Sequence, residues 1–211
     1  MKRFDCARAD ERAAGIAAAV RAVQAGGLVV VPTDTVYGIG ADAFSAAAVA
    51  DLLAAKGRGR DMPPPVLIGR RETLDGLVDM VPAAAHALLE AFWPGALTVV
   101  LRHTPSLAWD LGDTRGTVAV RMPLHPVALD LLTETGPLAV SSANKSGEPP
   151  ATTADEARDA LGDAVEVYLD GGRCADSVPS TVIDCTSSVP RVLRTGAVGM
   201  EQLREVIDDV E

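Results

Sequence analysis

Apolar positions recur along this chain with two periods, and the alternation between them lays out its elements. Between Asp10 and Ala25, Ile16, Val20 and Val23 fall at helical spacing, and Gly26-Gly27 stops the pattern. The spacing predicts an amphipathic helix with those three side chains inward. "LVVV" (28–31) is continuously apolar and short, which suits a strand covered on both faces. Ser45 can cap a helix running to about Ala55, and "VLI" (66–68) reads as the next strand. Pro82 opens a helix that ends before "WPG", and "ALTVVL" (96–101) follows as a strand. "TVAVRM" (117–122) and "PLAVSS" (137–142) flank a helix at 126–135. Thr153-x-x-Glu156 has the spacing of a capping box. The remainder predicts strands near 165–169, 181–185 and 191–194, then a helix from about 199.

Strands and helices interleave without a linker, repeat or low-complexity run, which predicts one α/β domain over residues 1–211. Two polar clusters directly follow apolar strands: "PTDT" after "LVVV", and "SSANKSG" after "PLAV". In open α/β sheets ligands sit beyond the carboxyl ends of strands, which makes both clusters candidates for chemistry. Loops without a site follow strands too, so position alone leaves the question open.

Composition narrows the class. Hydrophobic residues make up 48% of the chain and aromatics 3%, so the core must be built from Ala, Val and Leu. A net charge of −10 argues against a general nucleic-acid or anionic-membrane binder. A small anionic ligand stays open, because a few local cations suffice. The three cysteines, Cys6, Cys174 and Cys185, have no metal-like spacing and do not pair evenly, which fits a reducing compartment. No run approaches 18 apolar residues, and "MKRFDCARADERAAG" lacks the apolar core of a signal peptide. A soluble cytoplasmic protein is expected.

Gly38-x-Gly40-x-x-Ala43 imitates a dinucleotide fingerprint, but "PTDTVY" separates it from the strand and the next helix begins late, at Ser45. Close backbone approach around a turn accounts better for these glycines. "SSANKSG" imitates the three motifs of penicillin-recognising enzymes, yet overlaps them on six residues, so one lysine would have to serve twice. "KGRGRDMPPP" (56–65) puts Lys56, Arg58 and Arg60 into five residues of an acidic chain. Such a loop can hold phosphate oxygens, arginine through a planar fork and lysine as a compact charge. A solvated charge run past a helix end is the competing account. Only Lys2, Lys56 and Lys145 are lysines, and both interior ones fall in the two suspect loops. There is no Walker sequence, and His86, His103 and His125 are scattered, so no protein-bound metal is expected.

Taken in order, "PTDTVYGIGADA", "KGR" with prolines following, "FWPGALT", "TVAVRMPLHP", "SSANKSG", "DGG", "PSTVID" and "VLRTGAV" resemble the YrdC-like threonylcarbamoyl-AMP synthase family, over about residues 10–207. Each piece alone is weak; the ordered set is specific. The resemblance is to the short form, a single YrdC-like domain, since the chain stops without the C-terminal domain of the longer branch. It implies a twisted mixed sheet with flanking helices around a deep basic cavity. It also implies a nucleotidyltransferase that condenses L-threonine, bicarbonate and ATP, the last with Mg2+, into L-threonylcarbamoyladenylate and pyrophosphate. A separate tRNA threonylcarbamoyl transferase complex would then modify tRNA adenosine 37.

Carried over residue by residue, the resemblance implies a catalytic set of Lys56, Arg58, Ser142 and Asn144 around the phosphates and carbamate. ATP contacts would be Arg58, Met62, Thr117, Ser142, Pro150 and Arg194. Threonine contacts would be Thr35, Arg121, Val140 and Ser180, with Arg121 forking onto the amino acid's carboxylate. Three positions depart from the usual pattern: Gly59 stands where proline is common, Met62 where a polar residue is, and Gly69 where part of the family has histidine. The rivals are a YciO-type or carbamoyl-adenylating paralogue with another acceptor, and an RNA-binding module. Stable tRNA binding is not expected: the charge is wrong, and Tyr37, Trp93, Trp109 and Tyr168 offer few rings for stacking.

Overall fold

The computed structural model describes residues 1–174 and 178–211. Its strands are β1 (Lys2–Asp5), β2 (Val29–Val31), β3 (Gly38–Asp42), β4 (Val66–Leu67), β5 (Leu97–Arg102), β6 (Thr117–Arg121), β7 (Leu138–Ser142), β8 (Val167–Asp170), β9 (Thr181–Asp184) and β10 (Arg191–Arg194). The helices are α1 (Ala9–Gln24), α2 (Ala46–Lys56), α3 (Thr73–Leu77), α4 (Ala83–Phe92), α5 (Pro126–Thr135), α6 (Ala154–Leu161) and α7 (Met200–Arg204). The ten strands form one twisted sheet in the order β1-β8-β2-β3-β7-β4-β6-β5-β9-β10, with parallel and antiparallel neighbours mixed. The expected α/β architecture is the one observed. Among the described residues, no helix is long and apolar enough to cross a membrane.

Two apolar layers cover the sheet, and β2 shows why its sequence does not alternate. Val29 and Val31 point into the layer under α1 and α5, while Val30 points into the larger one under α2, α4 and α6. Both faces are dry, so every position is apolar. The α1 face differs from its prediction. Gly15, Ala18, Ala19, Ala22 and Val23 are buried, whereas Ile16 and Val20 are half-buried. Small residues let the helix approach closely: a Cβ on Gly15 would lie 2.7 Å from that of Phe4.

Caps behave as their chemistry demands. The Ser45 hydroxyl accepts the Ala48 amide and His125 Nδ1 accepts the Val127 amide, opening α2 and α5. Thr153 accepts the Glu156 amide, but the Glu156 carboxylate turns to Thr152 instead of closing the box on Thr153.

The glycines expected in a turn form a central strand. In β3, Gly38 faces Ser142 and Gly40 faces Val140 across an antiparallel ladder with β7. A Cβ on Gly38 would lie 2.6 Å from Val140 Cγ1, so the crossing side chain requires glycine there. Gly38→Ala should therefore cost about 1–3 kcal/mol in urea unfolding. Val140→Ala in the same chain should recover part of that loss.

Candidate active site

The register of β3 against β7 sets the loops after β2 and β7 side by side, and both open on a cavity of about 430 Å3. The "PTDT" turn forms one wall. Thr33 Oγ1 donates to the Val36 carbonyl at 2.6 Å and accepts the Thr35 amide at 3.2 Å, a local turn of the kind threonine favours. With that proton spent, the 3.0 Å contact between the two hydroxyls has Thr35 as donor. Arg121 Nη1 donates to the same Thr35 oxygen at 2.9 Å.

Arg121 ends β6 and is buried. Its Nε donates to the Gly95 carbonyl at 2.9 Å, and its Nη2 to Asp34 Oδ1 at 2.6 Å. Asp34 is itself oriented by the Leu124 amide at 2.9 Å. Burial disfavours the charged guanidinium, and the Asp34 carboxylate opposes that cost. Three of the five N–H groups of Arg121 are engaged, leaving donors for a ligand in the cavity.

More of the wall comes from β5, β9 and β10. The Ser180 and Thr98 hydroxyls lie 2.8 Å apart. Arg194 Nε and Nη2 grip the Ser180 carbonyl at 3.1 and 2.9 Å, and Nη2 also reaches its hydroxyl at 3.2 Å. The Thr181 hydroxyl donates to the Val198 carbonyl and accepts the Gly196 amide, which ties "PST" to "RTGAV". A Cβ on Gly196 would lie 2.3 Å from the Pro179 carbonyl oxygen, so only glycine passes.

Arg58 closes the site from the loop after α2. Its Nη1 donates to Ser141 Oγ at 3.2 Å, while its buried Nε has no partner among the described residues. Burial lowers the pKa of both Arg58 and Arg194, and Arg194 is lowered further by Arg58. Arg58, Arg121, Arg194 and Glu148 are the charged residues in the described wall. Arg194 is repelled by both Arg58 and Arg121, Asp34 offsets the charge of Arg121, and guanidinium N–H groups beside the void can donate to an acidic ligand.

The cavity gathers the four implied threonine contacts, Thr35, Arg121, Val140 and Ser180. It also gathers Arg58, Ser142, Asn144, Pro150 and Arg194 from the nucleotide set. Met62 and Thr117 are not in its wall: Met62 is exposed, and the Thr117 hydroxyl donates to the Thr114 carbonyl at 2.8 Å. Lys56 is buried beneath the wall, with its Nζ on the carbonyls of Ser142 and Asn144 at 2.5 and 2.7 Å. Arg60 points away into a two-pronged ion pair with Asp110 at 3.1 and 2.8 Å. At Gly69 the backbone of α5 fills the space a side chain would need, Thr133 N lying 2.8 Å from a Cβ there. Sequence reading passed over Asp34, Thr98, Ser141 and Glu148, although Asp34 lies inside "PTDT", Ser141 opens "SSANKSG" and Thr98 closes "FWPGALT"; Glu148 carried no signal.

Lys56 also gives a pH expectation. Burial, reinforced by Arg58 and Lys145, pushes its pKa down to about 8 from an ordinary 10.5. Between those values the unfolded chain holds the proton and the folded one releases it, so stability rises with pH across that window. Urea unfolding from pH 8 to 10 should show wild type gaining stability relative to Lys56→Met. A flat difference would mean that the ammonium is not destabilised by folding.

The family model described as Sua5/YciO/YrdC, telomere recombination, matches residues 21–196. A Mycobacterium tuberculosis protein provisionally named threonylcarbamoyl-AMP synthase is 59% identical over 97% of this chain and 94% of its own length. The Bacillus subtilis threonylcarbamoyl-AMP synthase is 40% identical over 92% of this chain and 57% of its own. Among solved structures, Pyrococcus abyssi Sua5 complexed with L-threonine superposes with a TM-score of 0.91 at 36% identity. That match covers 100% of this chain and 63% of the archaeal one. Motif order, sheet topology and these likenesses agree: the chain belongs to the Sua5/YciO/YrdC family.

Proposed function

We propose that this protein is a threonylcarbamoyl-AMP synthase, joining L-threonine, bicarbonate and ATP into L-threonylcarbamoyladenylate and pyrophosphate. One observation carries the reading. Arg121 with Thr35 and Ser180, and Arg58 with Asn144 and Arg194, converge from distant parts of the chain on a single cavity. Arg194 holds Ser180, so the two groups meet, and the arrangement suits an amino-acid carboxylate on Arg121 next to a polyphosphate on Arg58 and Arg194.

The chemistry asks for positioning and charge, not for a covalent nucleophile. The threonine amine adds to bicarbonate carbon, and loss of water leaves a carbamate. A carbamate oxygen then attacks the α-phosphorus as the bond to pyrophosphate breaks in line. Arg121 would orient the threonine carboxylate through its spare N–H groups, with Thr35 and Ser180 beside it. Arg58 and Arg194 would spread the charge on the phosphates and the leaving pyrophosphate. Mg2+ enters with ATP as part of the substrate, held largely by phosphate and water. The adenylate would pass to the transferase complex that modifies tRNA adenosine 37.

Mass spectrometry of the protein with ATP, threonine and bicarbonate tests this directly. Threonylcarbamoyl-AMP should appear only when all three are present. AMP or pyrophosphate formed without dependence on threonine would point to a paralogue with another acceptor. Saturable tRNA binding at moderate salt, with no adenylate formed, would favour an RNA-binding module.

Amino-acid choice gives a second outcome. A site that hydrogen-bonds the substrate hydroxyl is left with an unpaired buried group when valine enters, whereas serine merely lacks a methyl, worth about 1–3 kcal/mol. The expected order of kcat/KM is threonine, then serine, then valine. Equal use of serine and valine would mean that the hydroxyl is not read.

A further inference from the structure

Lys56 is the last residue of α2, and its ammonium lies under the "SSANKSG" loop, outside the cavity wall. Nζ donates to the Ser142 carbonyl at 2.5 Å, the Asn144 carbonyl at 2.7 Å and Asn144 Oδ1 at 3.5 Å. An ammonium has three protons, and three neutral oxygens of one loop receive them. The Asn144 amide is set independently. Its Nδ2 donates to the Lys145 and Glu148 carbonyls, both at 2.8 Å, which leaves Oδ1 facing Lys56.

The fastening runs both ways. The Ser146 amide donates to the Lys56 carbonyl at 3.0 Å, and Lys145 Nζ reaches the Ala55 carbonyl at 2.5 Å. The two interior lysines therefore cross-link the end of α2 to the loop that carries Ser142 and Asn144 into the cavity. To touch a phosphate, Lys56 would have to abandon these acceptors; the Ser142 carbonyl keeps the Asn144 amide at 2.9 Å, but the Asn144 carbonyl loses its one donor among the described residues, a cost a new contact must first offset.

We propose that Lys56 is a positioning residue. It draws the Ser142 and Asn144 carbonyls inward, fixes the loop that presents these residues to the nucleotide, and does not contact substrate itself. The nucleotide part rests on the cavity being the ATP site, but the decisive measurement needs no ligand.

That measurement is amide hydrogen exchange on the ligand-free protein. Residues 143–148 should exchange at least tenfold faster in Lys56→Met than in wild type. Lys56→Arg should not restore protection, since a planar fork cannot converge on three acceptors placed for a point charge. Arg60→Met, four residues away on the solvated side, should leave the loop unchanged. In turnover, Lys56→Met should lower kcat and raise the KM for ATP, and Lys56→Arg should rescue neither.

A loop exchanging at the wild-type rate in Lys56→Met, together with lost ATP binding, would overturn the proposal. Rescue of ATP binding by Lys56→Arg would do the same. If Lys56→Met does not fold, wild type still decides. Nitrogen-edited spectra should show the Lys56 ammonium signal unmoved when pyrophosphate is added, and its displacement would mean direct contact. A protein that makes no adenylate yet shows the expected exchange pattern would refute the assigned reaction and leave the positioning role standing.

Discussion

Replacing Arg121 with alanine will raise the threonine concentration needed for half-maximal rate about ten- to a hundredfold, the worth of a charge-assisted hydrogen bond of roughly 1.5–3 kcal/mol. The ATP requirement should move far less, because the hydrogen bonds of Arg121 go to Gly95, Thr35 and Asp34 and none goes to the Arg58 loop. The same change strips Asp34 of its guanidinium partner. Breaking a buried pair by removing one member costs about 3–5 kcal/mol, so the melting temperature should fall as well. Two further variants separate these effects. Asp34→Asn keeps Arg121 in place but removes its counter-charge, and should disturb threonine binding more than ATP binding. Arg121→Lys keeps a cation but cannot reach Gly95, Thr35 and Asp34 at once. Equal losses for threonine and ATP in all three would make Arg121 a structural arginine only.

Arg58→Lys should lose at least tenfold in kcat/KM for ATP, about 1.4 kcal/mol. The charge survives the substitution; the fork does not. Arg58 has one terminal nitrogen on Ser141 Oγ and a buried Nε with no partner among the described residues, a donor that a ligand oxygen could satisfy. Lysine offers nothing at the Nε position. Arg60→Lys is the control. Its two-pronged pair with Asp110 is exposed on both sides, and such pairs contribute at most about 1 kcal/mol. Both variants should melt near wild type. If both are silent in turnover, Arg58 grips no phosphate and the assignment is wrong.

Several elements were legible because one local rule decided each. Ser45 caps α2 by its hydroxyl, α5 spans the 126–135 stretch read as helical, and the apolar run of β2 is buried on both faces. The convergence of "PTDT" and "SSANKSG" was legible only as two loops after two strands. Their adjacency depends on β3, which propensity hides: its glycines read as a turn until Val140 is seen to cross them. The buried face of α1 was misjudged for a related reason. Hydrophobicity ranks Ile16 above Gly15 and Ala19, but the close approach of Phe4 selects for size. Within the site, Arg121 could be assigned to a ligand from its motif. That Asp34, Thr35 and Gly95 would aim it could not, because those contacts come from two other segments, the turn after β2 and the stretch before β5. Edge strand β1 and the single-turn α3 have too few residues to carry a period.

The parallel pairings carry a consequence for how the protein is made. β5 finds its neighbour β9 only when residues near Thr181 exist, Leu97 lying opposite Thr181 and Val99 opposite Ile183. Contacts so distant along the chain slow folding towards milliseconds to seconds. During synthesis, β5 must wait with its outer row of amides and carbonyls unpaired, an apolar edge that recruits strands from other chains. Ser180 and Arg194, which complete the cavity wall, bracket the strands that cover that edge. A nascent chain halted before Thr181 is thus both inactive and prone to aggregate, and the same final stretch cures both conditions.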